Sequence, residues 1–444
     1  MAEFPLTKQQ QHAFDLIEST NKNVLIQGPP GTGKSVVTRA LQSDGDKTYT
    51  IGAPTGLAAL NAGGKTIHSI FGIPSSDGII EPDNDNYTRN ERAVANIQYN
   101  VKHLVIDEVS MVRVDQFEFM ERTLRHIKNR SEPWGGVQLI LVGDFFQLPP
   151  VVKSEERDPM SRHWDSPFVF SSPAFSGCEV VNLTEVLRQK GDNKFIDILG
   201  RARVGDVTDK DLALLNKQVG HPTDIRIHLT GINRLADEMN QRKLAQLAGP
   251  SITYDADSFG DWPQFPVDTL ITLKVGAQVI VKVNRADRPP QKTDKGPFES
   301  KVVNGTLGRV VELAEDKVII ETDFGPVPIY RQKWERKVKE KIDGKWMERT
   351  VATYEQMPLA LAWAISMHKS QGQSFDKVHI DATKIFAPGQ MYVALSRVRS
   401  IAGLSLEIPL KSSRFWADEN VLEFFKSQSK QHAKQRNRNP KVPK

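Results

Sequence analysis

Residues 28–35, GPPGTGKS, follow the spacing G-x-x-x-x-G-K-[ST] between an apolar run, NVLIQ, and a helix-like run, KSVVTRALQ. That context suits a loop that wraps phosphate. Backbone N–H groups freed by Gly28, Gly31 and Gly33 can point at phosphate oxygens, and the helix that follows adds its positive end. Lys34 can reach the β- and γ-phosphates and Ser35 can ligate Mg²⁺, so Gly28, Pro29, Gly31, Thr32, Gly33, Lys34 and Ser35 are the candidate nucleotide-binding residues. The alternative, a glycine turn without chemistry, is disfavoured by the strand and helix on either side. A second apolar run, HLVIDE, ends in Asp107 and Glu108. Asp107 can hold Mg²⁺ through water while Glu108 orients an attacking water. An Asp-Glu pair alone is common and mostly structural. Beside a phosphate loop in one sheet it favours hydrolysis over binding without turnover, and no lid-like segment supports a small-substrate kinase.

The surrounding elements alternate in type. NVLIQG, YTIGAP, HLVIDE, VQLILVGD and VVNLTE read as strands, with helical patterns such as QQHAFDLIEST and DQFEFMERTLRHI between them. This is the grammar of a parallel α/β sheet, which places ligands beyond the carboxyl ends of its strands. A second series, DIRIHLTG, LALAWAIS, KVHID, MYVALS and LSLEI, repeats the pattern after residue 220, so two α/β domains are expected. Residues 74–100 are polar and turn-rich and read as an excursion from the first sheet. Residues 275–350 contain short alternating strands, GAQVIVKVN, GTLGRVVEL and KVIIETDFGPVPIY, which predict an inserted domain of small β-barrel type. Within it, YRQKWERKVKEKIDGKWMERT carries eight Lys or Arg against four acids and reads either as a solvated hairpin or helix face or as a nucleic-acid contact.

Composition removes several classes. A chain of 444 residues is long for one hydrophobic core, so two or three domains are the default. No apolar run approaches the roughly 18–20 residues of a spanning helix, and MAEFPLTKQQ has no signal-like core, so a cytoplasmic protein is expected. Cys178 is the only cysteine, which excludes an intrachain disulfide and a Cys-rich zinc site. The net charge is +5, but residues 426–444 carry seven cations and no acid, leaving the remainder slightly acidic. Nucleic-acid binding therefore has to be argued from local placement. The tail itself lacks an apolar period and is expected to be disordered. One local feature asks for explanation: SMHKSQGQS, 366–374, directly follows the apolar PLALAWAI.

With these motifs in order, the chain resembles the Pif (petite integration frequency) family of superfamily-one helicases over nearly its whole length, as a bacterial or phage-like member. PLTKQQQHAF is similar to the family's N-terminal Q motif, in which Gln10 would read the adenine edge. GAPTGLAALNAGGKTIHSIFGI looks like its paired DNA-contact motifs, IDEVSM its acidic motif, and VGDFFQLPPV its γ-phosphate sensor, carrying Asp144 and Gln147. LTEVLRQ supplies Arg188, SMHKSQGQSFDKVHID is similar to motif five, and GQMYVALSRVRS to motif six with Arg397.

The resemblance implies a fold of two RecA-like P-loop domains with parallel sheets, an inserted SH3-like β-barrel and a small wedge insertion. The first domain would span 1–183, with 74–100 as its wedge-like insertion. The second would span 184–274 and 351–425, interrupted by the β-domain at 275–350, with 426–444 as the basic tail. It further implies an ATP-dependent DNA helicase, a monomeric core moving 5′ to 3′ on single-stranded DNA and opening duplex or forked DNA, in replication, recombination, repair and telomere maintenance. A RecD-like subunit of a recombination or repair complex is the alternative. ATP and Mg²⁺ are the implied cofactors; Lys34, Asp107, Glu108, Gln147, Arg188 and Arg397 are the implied catalytic set, with both arginines acting on transition-state charge. The polar stretch after PLALAWAI then reads as a coupling loop: His368, Lys369, Ser370 and Gln371 toward phosphate or sugar, Gly372 toward the nucleotide. Pro54, Thr55, Gly56, Thr66, His68 and Ser69 are its counterparts in the first domain, although His68 alone is equally well read as a hydrogen-bonded core histidine.

Overall fold

The computed structural model describes residues 5–73, 78–83, 86–187, 192–220, 227–260, 265, 267–283, 286–287, 302, 304–342 and 345–438, with side chains described outside positions 57, 60, 336–348 and 429–438. The chain divides into two compact units: Met1–Leu215, Ile385–Ser396 and Leu410–Lys444 form the first, and Asn216–Lys384 with Arg397–Pro409 the second.

The first unit is built on a six-stranded sheet. In chain order its strands are β1 (Val24–Gln27), β2 (Tyr49–Ala53), β3 (Lys65–Thr66), β4 (His103–Ile106), β5 (Gln138–Gly143) and β6 (Glu179–Asn182). Their spatial order is β3-β2-β4-β5-β1-β6, with every neighbouring pair parallel. Val24, Leu25 and Ile26 are fully buried, as are Leu139, Ile140, Leu141 and Val142 of β5. Continuous burial is what a parallel sheet covered on both faces requires, each such side chain contributing roughly 1.5–3 kcal/mol. Two helices frame the phosphate loop, α1 (Lys8–Ser19) and α2 (Lys34–Ser43). Between β3 and β4, the polar excursion is stitched to the helix Val114–Ile127: Asp115 accepts from Ile80 N at 2.9 Å, Arg122 Nε donates to Asn86 O at 3.1 Å, and Tyr87 stacks on His126 with ring centres 3.6 Å apart.

The second unit holds a four-stranded parallel sheet in the order Ala364–Ser366, Ile227–Thr230, Val378–Ile380, Leu404–Leu406. It also holds a five-stranded antiparallel sheet in the order Gly325–Tyr330, Lys317–Thr322, Leu307–Leu313, Gln278–Val281, Leu359–Leu361. Val279, Val281, Val310, Val318, Ile320, Val327 and Ile329 are buried in one core, with Trp363 packed partly buried against it. The basic run around 330–350 is a long hairpin, Gln332–Ile342 paired with Lys345–Gln356.

Three local expectations change. PLALAWAI, which reads as one strand, is two: Leu359–Leu361 pairs antiparallel with Gln278–Val281, and Ala364–Ser366 pairs parallel with Ile227–Thr230. Asn240 holds the break by accepting from Ala364 N at 2.9 Å and donating to Ala364 O at 2.8 Å. MYVALS, expected as a strand, lies in the helix Gln390–Leu395, every residue of which is buried; a short apolar run cannot distinguish a strand from a fully buried helix. Of the tail expected to be disordered, residues 426–438 are helical, as part of Glu419–Arg438, and 439–444 lie outside the described residues. The first turns of that helix, ahead of the tail, are anchored by Phe424, stacked on Phe170 at 4.5 Å, and Phe425, stacked on Phe146 at 5.2 Å. That aromatic seat lies far away in sequence, so composition alone misses it.

In the parallel sheet of the second unit the His228 ring lies 4.6 Å from that of His379, which contacts Ser405 Oγ at 2.9 Å and Glu407 Oε2 at 2.8 Å. Burial, and then His379, push the His228 pKa down to about 4. An unfolded histidine titrates near 6.5, so between about 6.5 and 4 the unfolded chain binds more protons. Stability is therefore fully present above that window and is lost as the pH falls through it. The parent's melting temperature should drop more between pH 7 and pH 5 than that of His228→Gln; equal drops would remove His228 as the cause.

Candidate active site

The carboxyl ends of β4, β5 and β1 are consecutive in the sheet, and they carry Asp107-Glu108, Asp144 and the loop starting at Gly28. Three segments far apart in sequence thus meet along one edge. Gly31 and Gly33 have φ of 84° and 77°, left-handed values that glycine adopts without steric cost. A Cβ on Gly33 would also stand 2.3 Å from Gln10 Nε2. Lys34 opens α2 and folds its ammonium onto Gly28 O at 2.7 Å and Pro29 O at 3.2 Å. Burial holds its pKa below the ordinary lysine value, against the pull of Asp144, Glu108 and Asp107. Ser35 is exposed one residue further on, and Thr32 Oγ1 closes the loop onto Pro29 O at 2.9 Å.

Burial first, then the Glu108 carboxylate, push the Asp107 pKa up to about 7. The Glu108 N–H donates back to Asp107 Oδ1 at 2.8 Å. Glu108 has φ 51° and ψ 43°, a conformation costly for a residue with a side chain. Such strain collects at functional positions, where the surrounding structure over-determines the backbone. Gln147 is buried, and its Oε1 has no hydrogen-bond partner among the described residues. An unmet acceptor of this kind costs about 1–3 kcal/mol, an expense that fits a site completed by a polar ligand or water. A phosphate cradle, a lysine, two carboxylates and an unmet amide oxygen suit a nucleoside triphosphate with a hard cation. Ser35 and Asp107 would hold that cation.

Other expected residues sit differently. Gln10 is buried as the third residue of the α1 capping box: its Oε1 accepts from Thr7 N at 2.9 Å and its Nε2 donates to Thr32 O at 2.9 Å, tying the helix to the phosphate loop. Arg188 lies outside the described residues; Leu187, just before it, donates its N–H to Gly31 O at 2.7 Å. Arg397 belongs to the second unit, where it is buried and its Nη1 donates to Gln373 O at 3.1 Å and Ser370 O at 3.3 Å.

The loop after Ser366 is a run of turns. Gly372 has φ 76°, Lys369 is exposed and His368 half-buried, with its pKa lowered by burial. Ser370 and Gln371 are buried, and the Ser370 hydroxyl donates to Met367 O at 2.7 Å. Only part of the expected row of donors is thus presented outward. In the first unit Pro54, Thr55 and Gly56 follow β2. Thr55 Oγ1 accepts from Ala58 N at 3.2 Å, Thr66 Oγ1 accepts from Ser69 N at 3.2 Å, and His68 Nε2 lies 3.4 Å from Gln116 Nε2. Thr55 and Thr66 therefore serve as helix N-caps, and burial with Arg113 nearby lowers the His68 pKa.

Sequence reasoning missed Arg203, Tyr392 and Gln27. All three converge on the fully buried Asp144: Arg203 Nη2 at 2.9 Å, Tyr392 OH at 3.0 Å and Gln27 Nε2 at 3.1 Å. No motif spacing joins positions 27, 144, 203 and 392; a buried acid in an apolar run was the available hint.

The PIF1-like helicase family profile matches residues 5–212. The chain is 36% identical over 438 residues to the ATP-dependent DNA helicase PIF1 of Danio rerio, covering 95% of this chain and 64% of that protein. It is 33% identical over 437 residues to the ATP-dependent DNA helicase Pif1 of Bdellovibrio bacteriovorus, covering 96% and 92%. The crystal structure of a Bacteroides Pif1 helicase in complex with ADP-AlF3 and ssDNA matches with a TM-score of 0.71 at 33% identity, covering 97% of this chain and 98% of that one. The phosphate loop, the acidic pair and the sheet edge that joins them thus coincide with similarity along nearly the whole chain, and the chain belongs to the PIF1-like helicase family.

Proposed function

We propose that this chain is an ATP-dependent DNA helicase that moves 5′ to 3′ on single-stranded DNA and opens duplex or forked DNA. The observation that carries the reading is the meeting of Lys34, Asp107, Glu108 and the unmet Gln147 Oε1 at three neighbouring strand ends. Gly28, Pro29, Gly31, Thr32, Gly33 and Lys34 bind the phosphates, and Gln10 supports adenine recognition from its place against Thr32. Glu108 takes the proton of the attacking water, which Gln147 helps to orient. Mg²⁺, when held by Ser35 and Asp107, supplies charge neutralisation on the phosphate oxygens. Arg188 and Arg397 are the candidates for stabilising charge on the transferred phosphoryl group.

On the nucleic-acid side, Pro54, Thr55, Gly56, Thr66, His68, Ser69, His368, Lys369, Ser370 and Gln371 follow the backbone without reading sequence, as a motor requires. The parallel sheets are proposed as RecA-like domains, the antiparallel sheet as an SH3-like β-domain, and the excursion at 74–100 as the wedge. Among the described residues no helix is long and apolar enough to cross a membrane.

Strand displacement with ATP on 5′-tailed and 3′-tailed duplexes tests the reading. The purified chain alone should open only the 5′-tailed substrate, and DNA should raise its ATPase rate. Opening of the 3′-tailed duplex would overturn the polarity. DNA-stimulated ATPase without displacement of either substrate would favour the RecD-like subunit.

A further inference from the structure

Asp144 collects donors from four separate segments. Gln27 ends β1, Phe146 N lies in the loop that Asp144 begins, Arg203 closes the helix Asn193–Val204, and Tyr392 lies in the helix Gln390–Leu395. Arg203 approaches with two nitrogens, Nη2 at 2.9 Å and Nε at 3.2 Å from Asp144 Oδ1. Its guanidinium also lies 4.2 Å from the centre of the Phe146 ring, which stacks on Phe425. The loop is confined further by Gly389, φ 72°, where a Cβ would stand 2.4 Å from Phe146 O and 2.6 Å from Gln147 O. Gln147 N donates to Asp144 O at 3.0 Å, so the backbone that Arg203 braces is the one that carries Gln147 with its unmet Oε1.

With its lone pairs occupied from inside the fold, Asp144 is poorly placed as a direct phosphate or metal contact. It serves as the hub on which the loop is set. Among the charges near Lys34, Asp144 pulls the ammonium pKa up most strongly, and Arg203 acts in the opposite sense.

We propose that Arg203 is a positioning residue for ATP hydrolysis: by clamping Asp144 together with Tyr392 and stacking on Phe146, it holds Gln147 in the geometry needed for the attack on the terminal phosphate. This rests on the function proposed above. Arg203 would act through Asp144 and the Phe146 ring and not on the nucleotide, so its effect belongs in the chemical step. Displacements of about 1 Å in such supports cost up to ~10²-fold in rate.

Removing one partner of a buried ion pair strands the other, so Arg203→Gln alone can lose stability for that reason. The test therefore uses Arg203→Lys, Arg203→Gln and the doubly neutral Asp144→Asn/Arg203→Gln, measuring melting temperature, ADP affinity, and kcat and KM for ATP with saturating oligonucleotide. Arg203→Lys, which keeps the charge but not the two-nitrogen contact or the flat stacking face, should lower kcat by roughly 10-fold to 100-fold with KM and ADP affinity within about twofold. The double variant should regain melting temperature lost by Arg203→Gln without regaining kcat. A kcat within twofold of the parent in folded Arg203→Lys or in the double variant would overturn the proposal, as would recovery of kcat in step with stability. A parent chain without DNA-stimulated ATPase would instead defeat the function reading, which separates the two failures.

Discussion

Lys34→Ala should reduce DNA-stimulated ATP hydrolysis by at least ~10²–10³-fold, the scale on which a preorganised charge contact at a reacting centre acts. The lysine is the one cation in the phosphate loop 28–35, and its ammonium rests on Gly28 O and Pro29 O, in the cradle that the left-handed glycines form. Alanine removes that charge without disturbing α2, because alanine is the best helix former and the loop's shape rests on Gly31, Gly33 and the Thr32 turn. Binding to single-stranded DNA should persist, since the proposed contacts leave from other strand ends. Turnover near the parent rate in a preparation free of contaminating ATPase would sink the phosphate-loop assignment.

Glu108→Gln should separate binding from chemistry. The change keeps size and removes the capacity to accept a proton, and a positioned general base contributes ~10²–10⁴-fold. Glutamine is as able as glutamate to occupy the strained φ 51° backbone, so ADP affinity and melting temperature should remain near parental. Asp107 will also respond: the Glu108 carboxylate is the second cause, after burial, of its raised pKa. Removing that charge should bring the Asp107 pKa down from about 7 and favour the ionised form that a cation needs. Weaker nucleotide binding together with a slower rate would place Glu108 in the ground-state contacts and not in the chemical step.

Legibility differed sharply between kinds of feature. The glycine loop, Lys34, Ser35 and the acidic pair could be read because each is a local pattern whose chemistry depends on spacing of a few residues along one strand end. The parallel sheet was legible for the same reason: its buried strands are continuous apolar runs. By contrast, PLALAWAI does not announce that it serves two sheets. The decision is made by Asn240 and by the two partner strands, 278–281 and 227–230, which lie more than 75 residues upstream. MYVALS could not be read as a helix because the segment is enclosed on all sides, which erases the periodicity that separates helix from strand.

The sequence by itself determined which groups can do chemistry: a phosphate cradle, a lysine, paired carboxylates, and polar loops at strand ends. The tertiary structure decided which of them lie side by side and which partner within the fold each one bonds. Gln10 is spent on a helix cap and Thr32, the Ser370 hydroxyl is turned onto Met367, and Asp144 is closed off by Gln27, Arg203 and Tyr392. The physical reason is that a buried polar group must find a partner wherever the fold brings one, and such partners carry no fixed spacing in the chain.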